Sequence, residues 1–192
     1  MTFKKLAAAI AFAASLALPA SAAEYAFDIK GQHASIDFRV KHLGYSWLTG
    51  RFDKFDGTFF YDEAKPEASW VKVDIDVASI SSNHGERDKH LRGPDYLDVD
   101  QFPKASFEST AVKLGADGKG TIEGTFNIRG KALPVTINVE KVGGGPDPWG
   151  GERLGFTGTT ELKMPDLAFK KQLGPASQSV FLRLDVEGIK KK

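Results

Sequence analysis

Hydrophobic and polar residues alternate with a period of two over much of this chain. Residues 35–41 read S-I-D-F-R-V-K, which places Ile36, Phe38 and Val40 on one face. Val71, Val73, Ile75 and Val77 repeat the pattern without error, and Leu133, Val135, Ile137 and Val139 repeat it farther along. Val180, Leu182, Leu184 and Val186 alternate too, broken only by the apolar Phe181. Weaker versions occur at Gly57/Phe59/Tyr61, Ile122/Gly124/Phe126/Ile128 and Phe156/Gly158/Thr160/Leu162. Successive Cβ atoms of a strand point to opposite sides of its sheet, so one apolar face at period two predicts half-buried antiparallel strands. Glycine-rich turn signals over residues 115–120, 130–131 and 143–151 separate the runs. About eight strands joined by tight turns predict an all-β antiparallel sandwich or up-and-down barrel.

The apolar faces of these strands must meet. An eight-stranded barrel is just wide enough to be filled by side chains or to hold one small ligand. Both cases give the same alternation, and the pattern alone puts the filled core first. Gly57, Gly124 and Gly158 lie in phase with the apolar residues of their strands. An inward glycine either permits a bend or leaves room where a side chain would stand. Barrel corners explain each one singly, and together they are compatible with a lumen.

One segment departs from the alternation. Residues 83–110 concentrate two histidines, two arginines and several acids. They predict a short helix around residues 84–92, with Asn83 as N-cap, Glu86 completing a capping box, Lys89, His90 and Arg92 in the last turn, and Gly93 at C′ before Pro94. Glu86 and His90, four apart, are spaced to pair. A helix this short needs tertiary anchors, for which Leu91, Tyr96, Leu97 and Phe102 are the candidates. As chemistry the segment is weaker. His84 and His90 are six apart and so lie on different helical faces, unlike a zinc pair at i, i+4. His33 and His42 lack an obvious third ligand. The S-x-x-K match at Ser69–Lys72 opens a strand and has no companion motif, and there is no nucleophile elbow or phosphate loop. No catalytic constellation, metal site or cofactor is therefore expected.

Composition adds an address. Lys4 and Lys5 precede an apolar run over residues 6–18 and an A-x-A site at residues 20–22, which predicts a secretory signal peptide over residues 1–22. The expected compartment is the periplasm, with a single domain over residues 23–192. Removing Lys4 and Lys5 leaves 24 basic against 25 acidic residues, with no basic stripe, so nucleic acid is not an expected partner. Cysteine is absent, which excludes disulfides and thiolate metal sites.

Four ordered motifs resemble those of the YceI-like polyisoprenoid-binding proteins. They are residues 42–52 (HLGYSWLTGRF) with 55–58 (FDGT), then Asn83, residues 86–91 (ERDKHL) and Phe102-Pro103. They continue with residues 147–151 (DPWGG), Arg153 and Gly155-Phe156, and end at residues 173–178 (LGPASQ). The resemblance covers nearly all of residues 25–189. It implies a lipocalin-like antiparallel barrel enclosing a long apolar chain, such as a polyprenyl lipid, an isoprenoid quinone or a similar amphiphile. It implies no enzymatic activity, and it moves the balance from filled core to open lumen. The in-phase lumen candidates are Ile36, Phe38, Val40, Phe59, Val71, Val73, Ile75, Ile122, Phe126, Ile137, Val139, Phe156, Leu182 and Leu184. Rival readings are a filled barrel serving as a stress or interaction protein, or an enzyme acting on such lipids through His84 or His90. Transient membrane contact is an expected partnership, and a homodimer is admitted. Trp149, in a glycine-rich loop, is read first as packed under a barrel end and second as a membrane or portal contact. Lys190, Lys191 and Lys192 are read as a solvated tail.

Overall fold

The computed structural model describes residues 22–192, so the expected leader over residues 1–22 lies outside it but for its last residue. Eleven strand segments occupy eight wall positions of a closed antiparallel barrel. The segments are β1 (Ala23–Phe27), β2 (Ala34–His42), β3 (Ser46–Phe52), β4 (Phe55–Tyr61), β5 (Trp70–Asp76), β6 (Ile80–Ser81), β7 (Lys104–Leu114), β8 (Lys119–Ile128), β9 (Lys131–Pro146), β10 (Glu152–Lys163) and β11 (Ser179–Lys190). The ring runs β1-β4-β5-β7-β8-β9-β10-β11 and closes by pairing β1 with β11. Alternation thus predicted the fold class, and the predicted helix forms as α1 (Gly85–Arg92).

Three wall positions are broken strands. β1 and β2 lie one after the other along the same edge of β11, pairing with residues 188–190 and 180–186 of it. β3 continues into β4 and β5 into β6, and the two breaks face each other. At each break other groups replace the ladder. Asp28 accepts from Gly31 N at 2.8 Å, Ser79 Oγ accepts from Lys54 N at 2.9 Å, and Val77 N donates to the Pro103 carbonyl at 3.0 Å. These substitutions keep backbone polar groups satisfied where the chain turns off the sheet.

Between β6 and β7 the ladder stops, and α1 with residues 93–103 fills the gap. Arg92 ties α1 down by donating from Nε to the Ala78 carbonyl at 2.8 Å and from Nη2 to that of Ile80 at 3.0 Å. Tyr96 and Leu97 are buried as expected, and Leu91 packs against the core. Phe102 is only half-buried, lying against Gly130 and under the Arg129 guanidinium at 5.7 Å. Asp98 and Arg129, both buried, approach at 3.6 Å and clip this segment to the β8–β9 turn.

The helix caps differ by one residue from expectation. His84 is the N-cap, accepting from Arg87 N at 3.2 Å, while Asn83 takes a left-handed φ of 60° just outside. With His84 as N-cap the third helical position is Arg87, so the expected capping box with Glu86 does not form among the described residues. Gly93 has φ −70° and is extended rather than left-handed, its N–H donating to the His90 carbonyl. His90 meets the Tyr96 ring edge-on at 5.1 Å, and no Glu86–His90 ion pair occurs among the described residues. The glycine run expected as a turn is partly strand, since β9 extends through Pro146 and the turn is confined to residues 147–151. A bulge where β9 faces Gly155 and Phe156 leaves Val142 unpaired and 71% exposed.

Candidate functional site

The barrel encloses an apolar cavity of about 510 Å³. All fourteen lumen candidates line it. The interior is therefore open, and burial along the strands says why. Ile36, Ile75 and Ile137 are buried by neighbours, whereas Val40, Val73, Phe126, Leu182 and Leu184, equally inward in phase, stay half-buried because they face empty space. Sequence periodicity missed Phe107 and Val112 of β7, which change phase across a bulge between Ser109 and Ala111. It also missed Leu97, Met164, Leu167 and Phe169, which cover the interior from segments without strand periodicity.

The in-phase glycines do not supply the empty volume. A Cβ on Gly57 would stand 2.6 Å from the Phe27 ring, and one on Gly124 would stand 2.4 Å from the Phe107 ring. These positions let a neighbouring ring lie flat on the wall, so aromatic bulk is stored against the sheet and not across the lumen. At Gly158 the corresponding Cβ would meet Ile137 Cγ2 at 3.0 Å.

One end is closed. Tyr25 stacks on Phe59 at 5.0 Å, Phe59 meets Phe156 edge-on at 5.6 Å, and Tyr61 meets Phe156 at 5.5 Å, which together floor the cavity. Burial, and then the Glu152 carboxylate, push the Tyr25 hydroxyl up to about 12. On the outer face of this part of the wall, out of phase with the inward Phe156 and Val186, Arg153 donates to Asp28 at 2.6 Å, to Asp147 at 3.1 Å and to Glu187, while His33 Nδ1 meets Asp28 at 2.8 Å. The Arg153 hydrogen bond holds the buried Asp28 carboxyl down at about 2, helped by His33 and Gly31 N. Asp28, His33 and Glu187 converge closely enough to hold a metal ion. Arg153 already supplies their positive charge from the same place, so the cluster is complete as an ion-pair network.

The other end is open. Of the residues lining the cavity, only Lys41, His42, Leu43 and His90 are exposed, and all four lie at the β2–β3 turn or on α1. Arg87, Leu91, Phe169 and Leu173 complete this mouth. Beside it stand Leu43, 62% exposed, and Tyr45, 88% exposed, at the tip of the turn. Trp149 is exposed at the opposite end, under the Arg153 guanidinium at 5.1 Å, so it neither packs beneath the barrel nor borders the mouth. The C-terminal lysines are not wholly a free tail, because Lys190 pairs with Glu152 at 2.9 Å and Lys191 with Glu24. Sequence reasoning did not single out His42 or Arg87 as mouth residues. A signal was present: the positions three and four residues either side of Arg87 are Asn83, His84, His90 and Leu91, with no acid to pair.

Comparison with known proteins matches this geometry. A YceI-like domain signature covers residues 27–188. A UPF0312 protein of Pseudomonas aeruginosa is 52% identical over 189 residues, spanning 97% of this chain and 98% of the relative. The crystal structure of the Campylobacter jejuni YCEI protein superposes with a TM-score of 0.72 at 26% identity, covering 79% of this chain and 90% of that one. A polyisoprenoid-binding domain from Saccharophagus degradans, implicated in plant cell wall breakdown, shares the fold with a TM-score of 0.63 at 15% identity, covering 87% and 98%.

Proposed function

The chain belongs to the YceI-like family, and we propose that this member is a periplasmic carrier that holds a long isoprenoid lipid or similar amphiphile in its barrel. The observation that carries this reading is the apolar cavity of about 510 Å³, open at one end and floored by aromatic rings at the other. That volume falls within the roughly 300–1,000 Å³ of ordinary ligand sites. The polyisoprenoid-binding domain that shares the fold supports the choice of ligand class, and the A-x-A leader supports export. Two histidines of the rival enzymatic reading are occupied structurally, His84 as a helix cap and His90 against Tyr96.

Energetics favour exchange with a membrane over capture from water. Burial is worth ~0.8 kcal/mol per CH₂, so several isoprene units would exceed the roughly 18–21 kcal/mol ceiling of non-covalent affinity. A lipid drawn from a bilayer is already in an apolar medium, and the transfer is close to balanced. Release is then as feasible as uptake, which suits a carrier. Leu43 and Tyr45 offer the membrane an apolar tip beside the mouth. Protein purified from the periplasm and extracted with organic solvent is expected to yield a long-chain lipid by mass spectrometry. Repeated preparations without lipid would overturn the proposal.

A further inference from the structure

The rim of the cavity carries positive charge and no carboxylate. Its strongly ionisable lining residues are Lys41, His42, Arg87 and His90, and no Asp or Glu lines the cavity. The Lys41 ammonium lies 5.8 Å from the Trp47 ring on the outer face of β2, which leaves His42, Arg87 and His90 for the mouth. Arg87 is the one held in place. Its Nε donates to Ser82 Oγ at 2.7 Å and its Nη2 to the Ser82 carbonyl at 2.6 Å. Ser82 is fixed in turn by the buried Asp88, whose Oδ1 accepts from Ser82 N at 2.8 Å and from the Ser82 hydroxyl.

Among the described residues, Arg87 Nη1 donates to no group and no carboxylate lies within ion-pair distance of the guanidinium. Of the neighbouring acids, Asp88 reaches Arg87 only through the Ser82 hydroxyl that both contact, and Asp95 pairs with Lys171 at 2.6 Å. Arg129 and Arg153, the arginines of the cover and the floor, each have a carboxylate partner. A half-buried guanidinium beside an apolar wall thus has no direct carboxylate partner and a free Nη1, and hydrogen bonds to ionised groups are about twice as strong as neutral ones. We infer that the mouth is a headgroup site for an anionic amphiphile. Its phosphate or carboxylate binds Arg87, with His90 one turn along α1 and His42 elsewhere on the rim, and its apolar chain runs into the lumen. A neutral quinone head would leave Nη1 without an ionised partner. This assignment rests on the carrier reading and narrows its ligand class.

Delipidated protein loaded with a neutral apolar fluorophore (N-phenyl-1-naphthylamine) tests it by displacement. The competitors share one chain and differ in head: geranylgeranyl phosphate, geranylgeranoic acid and geranylgeraniol. The anionic competitors are expected to displace the probe about 10-fold or more better than the alcohol, and the stronger of the two identifies the head. Arg87→Gln is expected to bring that ratio toward one, with Arg87→Lys retaining part of it. Arg87 also braces Ser82, so the double variant His42→Gln/His90→Gln provides a second reading and is expected to lower the ratio with those contacts intact. If all three compounds displace the probe equally from the wild type, the headgroup assignment falls and the carrier reading stands. If Arg87→Gln weakens all three alike, the arginine is structural and the assignment falls too. If none displaces the probe, the carrier reading fails and takes the headgroup with it.

Discussion

The two ends of the barrel solve opposite problems with similar residues. At the closed end, Arg153 is surrounded by Asp28, Asp147 and Glu187 on the outer face of the wall, and stacked aromatics seal the interior behind it. At the mouth, Arg87 is held as firmly but by a serine, at the end that carries the exposed lining residues. Carboxylates contact Arg153 directly at the closed end, whereas at the open end the neighbouring Asp88 reaches Arg87 only through a serine hydroxyl. Among the described residues Arg92 also lacks a direct carboxylate partner, but it holds the Ala78 and Ile80 carbonyls away from the cavity lining, so it is the place of Arg87 on that lining that sets it apart.

The largest expected difference between the ends is in packing. Phe59→Ala removes a ring buried between Tyr25 and Phe156 and should cost about 3–5 kcal/mol in urea unfolding. Leu182→Ala, whose side chain borders open cavity, should cost about 2 kcal/mol or less, the low end for leucine truncation. Equal losses would mean that the interior is as tightly filled as the floor.

A smaller effect comes from acid. Asp28 sits at about 2 in the folded protein against an ordinary value of 3.8, so it binds its proton less readily folded than unfolded. Its contribution is fully present above pH 3.8 and is lost as pH falls through about 2. Urea midpoints measured down this range should decline in the wild type and decline less in Asp28→Asn. An unchanged slope in the variant would show that the floor network is not the acid-sensitive element.

Exposed residues should show the least change in stability. Trp149→Ser and the double change Leu43→Ser/Tyr45→Ser alter exposed side chains, and each single change is expected to shift unfolding by no more than about 0.5 kcal/mol. Lipid transfer between vesicles should slow only in the hairpin variant. Slowing in Trp149→Ser instead would move the exchange surface to the other end.

What was legible in the sequence follows from what period two can encode. The alternating runs of β2, β5, β9 and β11 contain most of the predicted wall, because each keeps one face inward without interruption. β7 was invisible because its bulge swaps inward parity from Phe107 to Val112. Residues that cover the barrel obey no strand period, so Met164, Leu167 and Phe169 carried no signal. The glycines at 57 and 124 were read in the right phase, but their purpose depends on a ring from the neighbouring strand, which no single run reveals. The helix was recognised by its end signals, while its N-cap shifted by one residue because His84, not Asn83, accepts from the first turn.

The broken strands divide the wall mechanically into two storeys. Below the breaks, β1, β4 and β5 belong to a hoop in which every strand has a neighbour on both sides. Above them, β2, β3 and β6 form a panel with one long ladder seam, β2 to β11, and a two-residue far edge held by side chains of α1 in place of a strand. A hoop shares a load in both directions, whereas a panel passes it to its seam. Amides of β3 and β6 should therefore exchange with solvent through local swings that leave the hoop intact. The side of the mouth that must yield to a bulky chain is thus the side that yields at the smallest cost to the whole barrel.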